Sequence, residues 1–234
     1  MKYKKILLKL SGESLMGKND YGISPSQLKV YVEDIKSLYQ KKIQIGIVIG
    51  GGNIFRGIQG AAEGFDRVQG DYMGMLATVI NSMALQSEME KQGLPSVLLS
   101  GIEINPICEK MSRSKAKNFL EAGKIVIIAA GTGNPYFTTD TAAALRAVEI
   151  EADVLLKGTR VDGVYDSDPE KNPNAHKFKK ISFQEAYEKE LKIMDLTAFS
   201  LCMENSIPIL VFDMNTKGNL LRIIDGEEIG SIIE

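Results

Sequence analysis

The residues able to do chemistry in this chain are cations, carboxylates and bare backbone, and they gather where apolar runs end. Ile43-Gln44-Ile45-Gly46-Ile47-Val48-Ile49 is β-branched and apolar, and it gives way to Gly50-Gly51-Gly52-Asn53-Ile54-Phe55-Arg56-Gly57. Glycine has no Cβ to keep backbone N–H groups from crowding an anion. Arginine offers a planar fork of donors that matches phosphate oxygens. Such a strand end is either a phosphate cradle at the carboxyl edge of a parallel sheet or a tight turn needing positive φ. Ile6-Leu7-Leu8-Lys9-Leu10 likewise runs into Ser11-Gly12-Glu13-Ser14. A lysine in a buried strand must find an anion, or it lies on an edge strand and carries its head to water.

Two further strand ends continue the pattern. Lys124–Ala130 leads into Gly131-Thr132-Gly133-Asn134-Pro135-Tyr136-Phe137-Thr138-Thr139-Asp140, and Asp153–Lys157 carries another lysine near its end. The hydroxyls of Thr132, Thr138 and Thr139 and the rings of Tyr136 and Phe137 suit a base and a phosphate better than a metal cage. Thr138 or Thr139 can cap a helix running to Ile150, whose N-terminus attracts anions. Asp140 is either a first-turn acid completing that cap or a group that orients a lysine or a metal ion. Asp71, set among glycines where a helix opens, is either an acid favoured by the helix dipole or an acceptor for ribose hydroxyls.

Several chemistries are excluded. Gly12 to Lys18 has the P-loop spacing, but Asn19 lacks the hydroxyl that the motif places on a metal. Neither Gly50-x-Gly52 nor Gly131-x-Gly133 completes the dinucleotide fingerprint, because Phe55 and Tyr136 stand where a glycine is required. His176 is the only histidine, which argues against a His triad or a zinc site, and the two cysteines, Cys108 and Cys202, have no ligand spacing. So few cysteines fit a reducing, cytoplasmic setting. A net charge of −2 gives no overall pull toward nucleic acid or an anionic membrane. The basic N-terminus is followed by an apolar run that Lys9 and Glu13 break, so no signal peptide is expected, and no run reaches the ~18 residues of a membrane span.

The elements that position these residues follow from the pattern. The 234 residues, 44% hydrophobic, suffice for one large domain, 1–234, without repeat or linker. Apolar runs at 6–10, 43–49, 96–100, 124–130, 153–157, 207–212 and 229–233 predict strands. Ser24-Pro25-Ser26-Gln27 opens a helix with a capping box, and strand, helix, strand with short connections is a parallel βαβ unit. A second helix runs from about Asp66 to Lys91, with Leu76, Ile80, Met83 and Leu85 as its expected apolar face. A third runs around Lys110–Leu120, ending at Gly123 as a left-handed cap. Gly57 to Gly64 and Gly17–Gly22 are expected surface loops, as is the polar stretch to Lys180, with His176 facing solvent. Ser182 and Asp195 are expected helix caps. Lysines and glycines at strand tips, with carboxylates and no histidine, make a site for several phosphates and one divalent cation. Phosphoryl transfer needs alignment and positive charge more than covalent help. A phosphate acceptor is largely dianionic at neutral pH, its second pKa being about 6, so it needs no general base.

Five blocks, in order along the whole chain, resemble the bacterial-type UMP kinases of the amino-acid-kinase superfamily: Lys9–Glu13, Gly50–Gly57, Gly70–Thr78, Gly131–Asp140 and Val161–Pro169. The resemblance implies a three-layer αβα sandwich around a mostly parallel sheet, and transfer of the γ-phosphoryl of ATP to UMP with Mg²⁺, which the nucleotide phosphates carry without a direct protein ligand. It implies that Lys9, Leu10, Ser11 and Gly12 lie on the ATP phosphates, with Gly52 and Arg56 toward ATP and the transferring group. Gly51 and Asp71 belong to UMP, Asp71 on its ribose, and Thr132, Gly133, Asn134, Pro135, Tyr136, Phe137, Thr138 and Thr139 wrap its uracil and phosphate. Thr159, Tyr165 and Asp168 hold adenine and ribose. Asp140, with Lys9 and Arg56, completes the catalytic set. The resemblance further implies a hexamer, activation by GTP relayed through Gly17, Lys18, Asn19, Asp20, Tyr21 and Gly22, inhibition by UTP, and a place in pyrimidine nucleotide synthesis. A sibling kinase acting on an amino acid or carbamate would share the ATP half, and a non-catalytic pyrimidine sensor would share the pocket. The third and fourth blocks, those of Asp71 and of Gly131–Asp140, argue against the sibling kinase, and the intact Lys9 and Arg56 argue against the sensor.

Overall fold

The computed structural model describes residues 2–55, 64, 66–169 and 171–234. Predicted site residue Arg56 lies outside these, as does nearly all of the expected loop from Gly57 to Gly64. The chain order is β1 (Lys5–Leu10), a 3-10 turn (Gly12–Leu15), α1 (Pro25–Gln40), β2 (Gln44–Ile49), α2 (Arg67–Lys91), β3 (Ser96–Ser100), β4 (Glu109–Lys110) and α3 (Arg113–Glu121). Then come β5 (Ile125–Ala129), α4 (Thr139–Ile150), β6 (Val154–Thr159), β7 (Val164–Tyr165), β8 (Lys177–Phe178) and β9 (Lys180–Ile181). The last elements are α5 (Phe183–Glu188), α6 (Leu196–Glu204), β10 (Ile209–Asp213), α7 (Asn219–Asp225) and β11 (Ser231–Ile233).

Nine strands form one sheet in the order β4-β3-β5-β2-β1-β6-β10-β11-β9. Every pairing is parallel except β10 with β11. The middle strands are buried on both faces, which is why they read as unbroken apolar runs. Alternate residues divide between two cores. Ile6, Leu8, Leu10, Ile45, Ile47 and Ile49 pack with α1, α2 and α7, whereas Leu7, Val48 and Leu155 pack with α3, α4, α5 and α6. The result is the expected three-layer αβα sandwich. No helix among the described residues is long and apolar enough to cross a membrane.

The caps fall where their chemistry requires. Ser24, Asp66, Ser112, Thr138, Ser182 and Asp195 each accept a hydrogen bond from a first-turn N–H, satisfying donors that the helix leaves unpaired. Gly123, with φ of 76°, follows α3 as expected.

Two expectations fail. Leu76, Ile80 and Met83 are exposed, and only Leu85 of the expected apolar face is buried. The buried side of α2 instead carries Gly70, Ala77, Thr78, Asn81 and Ser82 together with Met75, Val79, Leu85 and Met89. That side lies close against the end of β2, where a Cβ on Gly51 would come within 2.8 Å of both Ala77 Cβ and Gly74 O. Only small side chains fit there, so the larger residues point outward. The stretch before Lys180 is not all loop: Lys177–Phe178 pairs antiparallel with Val164–Tyr165. His176 is exposed as expected, its ring edge-on to Phe178.

Candidate active site

Lys9 and Lys157 stand opposite each other in the parallel pairing of β1 and β6. Each is two residues beyond Leu7 or Leu155, so strand alternation turns both toward the face that α4 covers. Asp140, in the first turn of α4, lies between them. Its Oδ2 is 2.7 Å from Lys157 Nζ and its Oδ1 3.0 Å from Lys9 Nζ. The second contact is an ion pair. Lys157 also donates to the carbonyl of Ile193 at 2.5 Å.

Burial alone would raise the Asp140 carboxyl, but Lys9 and Lys157 outweigh it and hold the group below the usual carboxylate range. Burial presses the Lys157 ammonium below its ordinary value, Lys9 pushes the same way, and Asp140 opposes them. This is a compact cluster of two cations and one anion, and its residual charge is positive.

The cluster joins two clefts. A cavity of about 510 Å³ is lined by Lys9, Gly12, Gly51, Asp71, Thr132 and Phe137, among others. On the other side of Lys157, one cavity of about 560 Å³ is lined by Thr159, Tyr165 and Asp168. An adjoining one of about 630 Å³ is lined by Asp140, Ile193 and Phe199. Of the predicted acceptor-side residues, Gly51, Asp71, Thr132, Phe137, Thr138 and Thr139 line the first cavity and Gly133, Asn134, Pro135 and Tyr136 do not, while Lys9, Ser11, Gly12 and Gly52 of the predicted ATP side line it too; the predicted adenine-side residues line the second.

The glycines serve close approach. None of Gly12, Gly50, Gly51 and Gly52 lies in the left-handed region. A Cβ on Gly12 would sit 2.5 Å from Gly50 O, so the tips of β1 and β2 meet there only as backbone. The N–H groups of Gly51 and Gly52 have no partner among the described residues, and both glycines line the smaller cavity. Asn53 is a brace: its side chain exchanges hydrogen bonds with that of Asn81 at 2.7 and 3.0 Å. Asn53 also donates to Gly22 O at 2.8 Å, while Asn81 donates to Gly50 O at 2.7 Å. The far end of the Gly17–Gly22 loop is thereby fastened to the glycine-rich strand tip.

Several predicted site residues have hydroxyls already engaged. Thr138 Oγ1 caps α4, accepting from the N–H groups of Asp140 and Thr141, and donates to Asp195. Thr159 Oγ1 donates to Val161 O at 2.6 Å and accepts from Val161 N–H. The Tyr165 hydroxyl donates to Asp162, which pushes its pKa up to about 12. Leu10 is fully buried, so only its backbone is available, and the exposed Tyr136 ring is absent from the cavity lining. Asp71 lies in the second turn of α2, since the helix begins at Arg67. Its carboxylate is held by Arg67 and the Tyr136 amide, not by the helix end.

Lys157 and Asp195 lie outside the five sequence blocks. Lys157 carried the same signal as Lys9, a lysine near the end of a buried strand. Asp195 read only as a helix cap, and it also accepts from Thr141 Oγ1 at 3.0 Å, tying α4 to α6.

A model of the amino acid kinase family matches residues 4–213. The chain belongs to the amino acid kinase family. It is 58% identical over 231 residues to a Porphyromonas gingivalis protein named uridylate kinase, covering 99% of this chain and 97% of that one. A Bacteroides thetaiotaomicron uridylate kinase is also 58% identical, over 99% of this chain and 98% of its own. Among solved structures, the UMP kinase of Bacillus anthracis superposes with a TM-score of 0.96 at 34% identity, covering 99% of this chain and 96% of that chain. These family relatives span nearly the whole chain, so the five sequence blocks and the fold lead to the same kinases.

Proposed function

We propose that this protein transfers the γ-phosphoryl of ATP to UMP, giving ADP and UDP, and so serves pyrimidine nucleotide synthesis. The observation that carries this reading is the meeting of two clefts at the Lys9–Asp140–Lys157 cluster. The uridylate kinases of similar sequence support the choice of acceptor.

In this reading UMP occupies the cavity of Gly51, Asp71 and Phe137, with ribose hydroxyls at Asp71 and phosphate toward the free amides of Gly51 and Gly52. ATP occupies the cleft of Thr159, Tyr165 and Asp168, its phosphates directed toward Lys9 and Gly12. Because Thr138 and Thr159 have committed hydroxyls, their share in binding is through backbone groups. The UMP phosphate attacks as it stands. Lys9 and Lys157 meet the charge that spreads over the transferring group, and Asp140 keeps the two cations fixed and spaced. Magnesium enters with ATP, carried by the nucleotide's own phosphates. The described residues offer no group of three His, Cys, Asp or Glu side chains to hold it.

The finer parts of the reading concern assembly and control. Tyr72, Met73, Leu76, Ile80 and Met83 form an exposed apolar stripe on α2. A stripe of this kind suits a subunit contact, in keeping with a homo-oligomer, a hexamer by family resemblance. The brace from Gly22 to Asn53 supports a GTP signal passing from the Gly17–Gly22 loop to the strand tip. Inhibition by UTP and a cytoplasmic location belong to the same reading.

The deciding experiment is a coupled assay of ADP release with UMP, CMP, AMP or no acceptor, with and without GTP. Release that depends on UMP, and rises with GTP, is expected. Transfer to glutamate or aspartate but not to UMP would overturn the reading.

A further inference from the structure

The two walls of the smaller cavity touch at one place. Arg67 and Asp71 stand one turn apart at the start of α2, and Tyr136 lies in the loop leading to α4. Asp71 Oδ2 receives the Nε–H of Arg67 at 2.9 Å and the backbone N–H of Tyr136 at 2.8 Å. The Arg67 guanidinium also lies over the Tyr136 ring, 5.7 Å from its centroid, within the range of a cation–π attraction. Asp71 Oδ1 takes no hydrogen bond among the described residues, and Asp71 and Arg67 both line the cavity. One carboxylate oxygen is committed and the other is left for a ligand.

The loop depends on such ties. Ala130, Gly131, Gly133 and Tyr136 have φ of 56°, 58°, 87° and 72°, a conformation that crowds the Cβ of any residue but glycine. Its shape is imposed from neighbouring helices. The Ala130 N–H donates to Thr78 Oγ1 at 2.8 Å, Arg146 donates to Gly131 O at 3.0 Å, and the Tyr136 N–H donates to Asp71. Two of these three anchors sit on α2.

We propose that Arg67 is a positioning residue that governs capture of the acceptor nucleotide and its selectivity for ribose. It fixes the Asp71 carboxylate so that Oδ2 pins the Tyr136 amide while Oδ1 meets the sugar hydroxyls. The proposal rests on the UMP kinase reading. An acceptor without the 2′-hydroxyl forfeits part of what Oδ1 reads, so loosening Asp71 costs UMP more than its deoxy counterpart. Among the described residues Arg67 pairs with Asp71 and not with Asp140, so the transfer step itself should be unaffected.

The test is steady-state kinetics of the full chain with UMP and 2′-deoxy-UMP as acceptors, for Arg67→Met, Arg67→Lys, Asp71→Asn and the double variant Arg67→Met/Asp71→Asn. Arg67→Met should raise KM for UMP about five- to tenfold, as expected for a lost half-exposed ion pair and a displaced carboxylate. Its kcat should stay within about twofold and its KM for ATP should not move, the mark of lost acceptor binding alone. Its preference for UMP over the deoxy acceptor should fall toward that of Asp71→Asn, and Arg67→Lys should recover part of it. The double variant should be no worse than Asp71→Asn, because Arg67 acts through Asp71. An unchanged KM for UMP, equal losses on both acceptors, or a cost that adds fully to that of Asp71→Asn would overturn the proposal. Arg67→Lys serves as the milder probe if Arg67→Met lowers the melting temperature. A wild-type protein that phosphorylates neither acceptor would refute the UMP kinase reading itself, before any variant is compared.

Discussion

Lys9 and Lys157 are register partners on adjacent parallel strands, and both ammonium groups reach one carboxylate, that of Asp140. Two like charges on neighbouring strands would repel if left alone. A shared anion between them makes the pair tolerable and keeps it aimed at the junction of the clefts. The pair therefore behaves as one device whose members face different cavities.

Replacing either lysine should cost turnover. Lys9→Ala and Lys157→Ala should each lose at least about tenfold in kcat, or about 1.4 kcal/mol of barrier. Lys9 lines the acceptor-side cavity and Lys157 the two clefts beyond it. Because the ATP phosphates are directed toward Lys9 in this reading, Lys9→Ala should raise KM for both substrates, whereas Lys157→Ala should raise it chiefly for ATP. Initial-rate measurements with each substrate varied in turn check this, and unchanged turnover would remove that lysine from the mechanism.

Asp140 predicts a signed dependence of stability on acid. Its carboxyl is held below the ordinary value of 3.8 in the folded protein. The unfolded chain therefore takes up the proton first as pH falls. The stabilisation is complete well above 3.8 and disappears as pH drops through the lower folded value. Asp140→Asn strips two buried cations of their anion and should destabilise by about 3–5 kcal/mol near neutral pH. Urea unfolding between neutral and strongly acidic pH should show the wild type and the variant converging in acid. Curves that stay parallel would contradict the assignment. Lys157 has the same sign in another window: its folded pKa also lies below the ordinary 10.5, so stability rises as pH climbs through the folded value toward 10.5.

The exposed stripe on α2 predicts self-association. Leu76→Glu combined with Ile80→Glu, at side chains 46% and 49% exposed, should shift the protein to smaller species while leaving the melting of the isolated chain within about 0.5 kcal/mol. Sedimentation velocity checks the first outcome and thermal denaturation the second. An unaltered assembly would place the contact elsewhere.

The sheet, its parallel sense and the caps were legible because each rests on a local rule: apolar runs for strands buried on both faces, and Ser, Thr or Asp before a helix. The period of α2 was equally legible, but its phase was not. Hydropathy points Leu76, Ile80 and Met83 inward, and only the closeness of Gly51 to Ala77 and Gly74 explains why small residues occupy the inner side. The short hairpin of Val164–Tyr165 with Lys177–Phe178 has too few residues for any periodicity. Lys9, Gly51 and Asp140 were readable as candidate site residues from type and place. Lys157 shared the signal of Lys9, but its partnership with Asp140 depends on a strand register that no local pattern states. The engagement of Thr138 and Thr159 in caps and turns likewise emerges only in three dimensions.

The reciprocal amides of Asn53 and Asn81 have a consequence for motion. Asn53 is 3% exposed and Asn81 fully buried, and between them they hold Gly22 on one side and Gly50 on the other. Buried amides left without partners are costly, so the loop end cannot peel away from Asn53 and leave that couple intact. Amide hydrogens at Gly22 and around Gly50 should therefore exchange with solvent in step, the outer hinge and the cavity floor opening as a single unit.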